Sequence, residues 1–217
     1  MILAVETSTE AFSIAVRNGG ASASLDLVHQ KTRSQHIVSA VRFLLHSLDL
    51  DIGRVRAACA GIGPGSFTGI RIGLTFVNPL RQLYRIPLAG ASSLDMLAHG
   101  QVRWYTTIIP FVRCRKGEVY TALYREGVRA TGYLVLGREE FTGFIEEHEP
   151  DCLTGSARTA ADILGEAQAS TGTLPSGAVF VDAAPRAAVM LGLLEEPGAS
   201  GMVPGDAYLS PLYLRGI

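Results

Sequence analysis

The sequence predicts an α/β fold that is built twice in one chain. Three observations predict it. The first hundred residues read as three strands followed by helix, strand, helix, strand and helix. The later residues return to a similar order without obvious sequence identity, a strand meander followed by alternating helices and strands. Turn chemistry sits where these elements meet, as expected of two α/β halves with separate cores.

In the first half, Ile2 to Val5 is a short apolar run of the kind that fills a buried strand. Phe12 to Val16 alternates apolar and small residues. Asn18-Gly19-Gly20 behind it suits a hairpin, because Asn and Gly tolerate positive φ. Ala21 to Val28 returns as the third strand of the meander. Ser34 suits a helix cap, with Ile37, Val41, Leu44, Leu45 and Leu48 following along one face. Arg56 to Ile62 reads as a central strand that ends at Gly63-Pro64-Gly65. Ser66 then caps a second helix in which Phe67, Ile70, Leu74, Val77 and Tyr84 lie near one another. Gly69 and Gly73, one turn apart, would leave a bare groove on that helix. Asn78-Pro79 predicts a kink or an early stop, since proline lacks the donor and crowds the preceding turn. A strand over Ile86 to Gly90 and a helix from Ser92 complete this half.

In the second half, Trp104 to Val112, Glu118 to Tyr124 and Val128 to Leu136 form the meander, with turns at Lys116-Gly117 and Glu126-Gly127. A helix over Arg138 to Glu147, a strand at Cys152-Leu153, a helix from about Ser156, a strand over Ala178 to Val181 and a helix after Pro185 follow. The apolar, proline-interrupted tail from Tyr208 to Arg215 is expected to pack back on the body. A boundary near residues 100–104 divides the chain into subdomains 1–102 and 103–217.

Composition bounds the function classes. With 217 residues and 47% hydrophobic content, the chain can bury one good core or two small ones. Charged residues make up 18% and the formal net charge is −1, so no general basic excess advertises tight nucleic-acid coating. Cys59, Cys114 and Cys152 are sparse and widely spaced, which fits a reduced cytoplasmic protein better than a disulfide scaffold. No apolar run approaches the roughly 20 residues that span a bilayer, and Glu6 comes too early for a signal peptide. A soluble, cytoplasmic protein without a membrane partner is expected.

Two segments could carry chemistry on a nucleotide-type fold. In Val5-Glu6-Thr7-Ser8-Thr9-Glu10, a strand ends in an acid and hydroxyl residues follow in a turn. This resembles the phosphate-binding hairpin of actin-like ATPases, but the glycine is missing, and a side chain at Thr7 or Ser8 narrows the space a phosphate needs. In Gly63-Pro64-Gly65-Ser66-Phe67-Thr68, a strand passes through a glycine turn into a helix N-terminus. Its free N–H groups and the helix dipole make an anion or partner contact as reasonable as tight strand–helix packing. It has neither the G-K-[ST] ending of a P-loop nor a G-x-G-x-x-G pattern. Glu6, Thr7, Ser8, Gly63, Gly65, Ser66, Thr68 and Arg71 thus form a candidate anion turn of vestigial type.

Other chemistries lack their residues. His36 has Thr32, not a second histidine, one turn earlier, and the remaining histidines form no short cluster, so no metal site is expected. Gly65-Ser66-Phe67-Thr68-Gly69 is not G-x-S-x-G, which leaves no hydrolase triad. Arg113-Cys114-Arg115-Lys116 marks either a solvated hairpin or a contact to nucleic-acid phosphates.

These residues also carry a resemblance. Ile2 to Thr9, Gly61 to Gly73 (GIGPGSFTGIRIG), Gly90-Ala91-Ser92-Ser93-Leu94, Lys116 to Tyr120 and Pro211 to Arg215 resemble, in order, the landmarks of the TsaB (YeaZ) family. GPGSFTGIR is the most specific of them, and Ala130 to Gly205 carries little signature. The resemblance implies a duplicated actin-like (ASKHA, ribonuclease H-like) fold, two βββαβα-type subdomains with mixed sheets and helices. It implies a non-catalytic subunit, without a cofactor, in the synthesis of N6-threonylcarbamoyladenosine at adenosine 37 of tRNA. It further implies a TsaD-like catalytic partner docked on the two N-terminal helices and a TsaE-like ATPase in the same assembly, with tRNA engaged mainly indirectly. On that basis Ile37, Val41 and Leu45 of one helix, with Gly69, Gly73, Leu74 and Val77 of the other, are expected to form the partner interface, and the same surface could pair two copies of the chain. An actin-like phosphotransferase or ATPase is the alternative. A glycoprotease-type metallopeptidase fits poorly without the H-x-x-x-H pair. Arg113-Cys114, where the family pattern has Asp-Ala, and Asn78-Pro79 are departures from the family pattern.

Overall fold

The computed structural model of the chain describes residues 1–28, 33–165, 177–194, 202–205 and 208–214. Thr32, His29 and Arg215 lie outside the described residues. The chain forms two compact units, Met1–Ser93 with Pro185–Leu212, and Leu94–Ala184 with Tyr213–Ile217.

In the first unit, β1 (Ile2–Glu6), β2 (Ala11–Asn18) and β3 (Ala21–Val28) form the expected antiparallel meander. α1 (Arg33–Ser47) follows, so Ser34 stands inside the helix and not at its cap. β4 (Ala57–Gly63) and β5 (Leu88–Ser92) extend the sheet in parallel beside β1. α2 (Phe67–Tyr84) connects them, and α3 (Ser93–His99) begins directly after β5. The core gathers Leu3, Val5, Phe12 and Ile14 of the sheet with Ile37, Val41, Leu45, Ile70, Leu74 and Val77 of the helices.

The second unit repeats the plan. β6 (Thr107–Arg113), β7 (Glu118–Thr121) and β10 (Leu134–Gly137) form its meander. β11 (Cys152–Gly155) and β12 (Val179–Asp182) run parallel to β6. α4 (Arg138–His148) and α5 (Ala157–Leu164) lie between these strands in sequence. The first sheet is ordered β3-β2-β1-β4-β5, and the second has the equivalent order β10-β7-β6-β11-β12. With the short strands at Tyr124–Arg125 and Val128–Arg129 left out, both are the third, second, first, fourth and fifth strands of their unit, so the chain adopts the duplicated actin-like fold.

Three expectations need correction. The third strand of the second meander is not continuous over Val128 to Leu136: β9 (Val128–Arg129) pairs with β8 (Tyr124–Arg125), and only β10 completes the sheet. Pro79 neither stops α2 nor shortens it; it stands on the exposed side of a helix that continues to Tyr84. Asn78 next to it has a positive role, since its side chain donates to Leu209 O at 3.0 Å and accepts from Leu209 N at 2.9 Å. With the Leu212 N to Ile62 O bond of 2.8 Å, this two-point clamp fastens the tail to the first unit.

The third correction is the division of the chain. The first unit ends at Ser93 rather than at 102, and it recovers Pro185–Leu212 from the far end. The physical reason lies in β2, where Ala11 to Val16 are all buried. One face of such a strand packs on α1, and the other needs its own cover. That cover is α6 (Ala187–Leu193), whose first amide, Ala187 N, donates to Ser13 Oγ at 2.8 Å. β13 (Met202–Gly205) then pairs with the edge strand β5. Cys59, Cys114 and Cys152 are free thiols, and no helix among the described residues is long and apolar enough to cross a membrane.

Candidate functional site

Two surfaces of the first unit hold the candidate residues. The first is the turn between β4 and α2, where the β1–β2 loop meets it. Glu6, Thr7 and Ser8 are fully buried. Glu6 Oε1 accepts from both Ser8 N and Ser8 Oγ at 2.5 Å, and Ser8 Oγ lies 2.6 Å from Ser93 Oγ. Thr7 Oγ1 donates to Gly69 O at 2.7 Å, which ties the loop to the first turn of α2. On the other side Ser66 caps α2 as expected, its Oγ accepting from Gly69 N at 3.2 Å.

Close approach explains the glycines. A Cβ on Gly65 would lie 2.1 Å from Ser8 O, and one on Gly73 would lie 2.6 Å from Thr7 Oγ1. A Cβ on Gly61 would lie 1.7 Å from Glu6 Oε2. Gly63 adopts φ 98°, in the region that favours glycine, beside Ile70. The glycines therefore let the strand-end loop and α2 press together.

This closure decides what the turn can do. A helix N-terminus binds anions through amides that have no partner in the helix. Here Ser66 N already donates to Ser8 O at 2.6 Å and Gly69 N to Ser66 Oγ. Glu6, Thr7, Ser8, Gly65 and Ser66 do come together as the sequence suggests. Thr68 and Arg71 do not join them: they face the second surface.

That second surface is a shallow groove of about 530 Å³ on the outer side of α1 and α2. Phe67, Thr68, Arg71, Ile72, Thr75 and Phe76 line it, with Ile37 at its α1 edge. The Arg71 guanidinium stacks over the Phe67 ring at 3.7 Å, which gives the groove a cation on an aromatic base. Val38 and Phe43 of α1 and Phe67 of α2 are exposed apolar residues, at 55%, 63% and 43%.

The interface residues expected from the sequence are corrected by burial. Ile37, Val41, Leu45, Leu74 and Val77 are each no more than 5% exposed and belong to the core of the unit. Gly69 and Gly73 face the β1–β2 loop, so they leave no bare groove for a partner. The long apolar stripe of an amphipathic helix goes to its own core first. The outer face is a second, weaker stripe, from which the sequence reading takes Arg71 and Thr68 for another role, and only Ile37, at its α1 edge, for the interface. Its 67/71/75 and 68/72/76 spacing is the signal that could have found it. Ser93, which completes the Ser8 contact, enters the sequence reading only within the Gly90–Leu94 landmark, with no role assigned to it.

In the second unit a buried acid has a different setting. Asp95 is 2% exposed and accepts from the hydroxyls of Tyr124 and Tyr133, the latter at 2.6 Å, with Arg129 Nη1 at 3.6 Å. Burial pushes its carboxyl above the ordinary carboxylate range, against the opposing pull of both hydroxyls and Arg129. No three His, Cys, Asp or Glu side chains among the described residues are grouped so as to hold a metal ion.

Similarities to known proteins agree with this fold. The family model described as TsaD, tRNA N6-adenosine threonylcarbamoyltransferase, matches residues 27–136, just over half of the chain. The tRNA threonylcarbamoyladenosine biosynthesis protein TsaB of Escherichia coli is 34% identical over 126 residues, 57% of this chain and 54% of that protein. The matched stretch thus spans about half the length of the curated relatives. Two solved structures cover nearly everything. A Pseudomonas aeruginosa protein described as uncharacterized, with similarity to peptidase YeaZ, has a TM-score of 0.80 at 27% identity and covers 99% of both chains. YeaZ of Pseudomonas aeruginosa has a TM-score of 0.75 at 26% identity, with 98% of this chain and 99% of that one covered. The chain belongs to the family that the TsaD model describes, in its TsaB/YeaZ branch.

Proposed function

We propose that this chain is a non-catalytic scaffold subunit of the cytoplasmic assembly that makes N6-threonylcarbamoyladenosine at adenosine 37 of tRNA. It docks a TsaD-like catalytic subunit through the outer face of α1 and α2, and a TsaE-like ATPase joins the same assembly. The observation that carries this reading is the groove lined by Phe67, Arg71, Ile72 and Phe76, which lies at the edge of a core filled by the helices' inner stripe. Exposed aromatic and arginine residues on a preformed groove are the usual anchors of a protein interface. The non-catalytic part is supported by the β4–α2 turn, whose Ser66 and Gly69 amides are already engaged within the unit. In the absence of the partner, two copies of the chain are expected to pair through the same face.

The test is capture of the TsaD-type subunit from the same organism by the full chain. Arg71→Glu places an acid on the groove floor without touching the core, and should lower capture at least 10-fold while leaving the melting temperature unchanged. Undiminished capture by that variant would remove the groove from the interface. Binding of ATP with magnesium and its turnover by the chain alone would remove the non-catalytic reading.

A further inference from the structure

We propose that the second unit carries a contact for the sugar–phosphate backbone of RNA, built on the β6–β7 hairpin and the outer side of α5. The hairpin turn is tight: Cys114 N donates to Glu118 O at 3.0 Å, Glu118 N donates to Arg115 O at 3.2 Å, and Gly117 takes φ 73°. This places Arg115 and Lys116 at an exposed tip. Asp162 of α5 pins the hairpin from beside it. Its Oδ2 accepts from Gly117 N at 3.4 Å and lies 3.8 Å from Arg113 Nη2. Arg138 Nη2, from the first residue of α4, donates to Asp162 O at 2.6 Å. Arg158 stands one turn before Asp162 on the same helix face and is exposed.

Three elements that are distant in sequence thus carry five exposed cations, Arg113, Arg115, Lys116, Arg138 and Arg158; Arg113 pairs with the partly buried Asp162 carboxylate and Arg138 with the Asp162 main-chain carbonyl. Of the other acids beside these elements, Glu118 is partly buried, Glu140 turns back onto Gly137 N at 2.8 Å, Asp182 accepts from Ala157 N at 2.8 Å, and Glu139 remains on the surface of α4. Arg115 and Lys116 make no ion pair among the described residues. The chain as a whole carries −1, so this surplus is local. Guanidinium forks around a fixed point suit phosphate oxygens, and unpaired tip cations release counterions when a polyanion replaces them. The choice of RNA among polyanions rests on the tRNA-directed function proposed above; the cation cluster stands without it.

The test measures binding of a fluorescent, unmodified tRNA transcript to the full chain by anisotropy across about 50 to 200 mM salt. Wild type should bind weakly, with a Kd of roughly 10⁻⁴–10⁻⁶ M at physiological salt, and with a clear salt slope. The double variant Arg115→Ser/Lys116→Ser should bind at least 10-fold more weakly, with a log–log slope shallower by about 1.4–1.8, at ~0.7–0.9 for each phosphate that is no longer neutralised. The charge-preserving Arg115→Lys should keep the slope, and both variants should melt as wild type does. Equal affinity and slope in wild type and double variant would overturn the proposal, as would no binding by wild type at low salt. Tighter binding of poly-glutamate than of the transcript would also overturn it, and would assign the patch to an acidic protein segment. Capture of the TsaD-type subunit by the same preparations separates the two ideas. Capture without RNA binding removes the RNA contact alone, and RNA binding without capture removes the docking reading alone.

Discussion

The turns that follow β4 and β11 hold equivalent places in their two units, yet they are closed by different means. Both use a serine cap: Ser66 Oγ accepts from Gly69 N at 3.2 Å, and Ser156 Oγ accepts from Thr159 N at 3.3 Å. In the first unit the amide of the cap residue itself, Ser66 N, goes to the backbone carbonyl of Ser8. In the second unit Ala157 N goes to a carboxylate, Asp182 Oδ1 at 2.8 Å, at the end of β12. A helix N-terminus attracts negative charge, and an internal acid serves it as well as a bound anion would. One unit therefore ties its turn down with main chain at the cap residue, and the other with a side chain at the first helical residue. The former requires a glycine at the point of contact; the latter leaves the site one substitution away from being open.

The largest effect should come from adding a methyl group where main chain meets main chain. In Gly65→Ala the new carbon would sit 2.1 Å from Ser8 O, and in Gly155→Ala it would sit 2.5 Å from Phe111 O. Backbone cannot swing aside as a side chain can, so each should cost about 2–3 kcal/mol. Each should lower the melting temperature by roughly 5–10 °C in a chain of this size, read by calorimetry. A loss under a few degrees for Gly65→Ala would show that the loop can withdraw from the turn, and would end the account of that turn as sealed.

A smaller effect is expected at the side-chain plug. Asp182→Ala removes one charge-assisted bond at an exposed site, so about 1 kcal/mol should be lost. The same change frees Ala157 N at the start of α5. Phosphate should then stabilise the variant more than wild type in a thermal-shift titration. An equal phosphate response in wild type and Asp182→Ala would show that Asp182 does not occupy an anion position.

The smallest effect concerns the buried acids. Glu6 of the first unit is held by Ser8, and Asp95 of the second is held by two tyrosines and Arg129. Because burial raises the Asp95 pKa above 3.8, the folded state keeps its proton longer than the unfolded chain does. The stability linked to that proton is fully present below the unfolded value and is lost as pH rises through the folded one. Relative to Asp95→Asn, wild type should therefore lose stability as pH climbs from about 4, and level off once Asp95 has ionised. Denaturant melts of both proteins at several pH values measure this. A difference that is flat, or that grows in the opposite direction, would refute the assignment of burial as the dominant cause.

Much of the first unit is legible in the sequence because its signals are local. The hairpin at Asn18 to Gly20, the Ser66 cap and the apolar spacing of α1 and α2 each lie within a few residues of what they direct. The candidate anion turn is legible as a group of residues but not as a closed one. The decisive bond, Ser66 N to Ser8 O, joins segments 58 residues apart, and nothing in either segment announces the other. The outer face of α2 escapes a sequence reading that assigns the stronger apolar stripe to a partner before the core has been satisfied. The second meander reads as three strands because Gly127 and the polar break after Arg129 give no sign that the β8–β9 hairpin is an insertion.

The sequence by itself determined the order of elements, their turns and caps, and the duplication, since each rests on periodicity or on residues whose backbone preferences act locally. The tertiary structure alone decided which faces of the helices are inside and which segments share a core. α6 covers β2 across a separation of 174 residues, and Asn78 clamps Leu209 across 131. Those contacts arise because a strand buried on both faces and a tail with apolar side chains must each find cover somewhere in the chain, and burial does not depend on sequence distance. The same rule turned the glycine-lined side of α2 inward onto Thr7, left Phe67 and Arg71 exposed, and left Ile72 and Phe76 half-buried against the core.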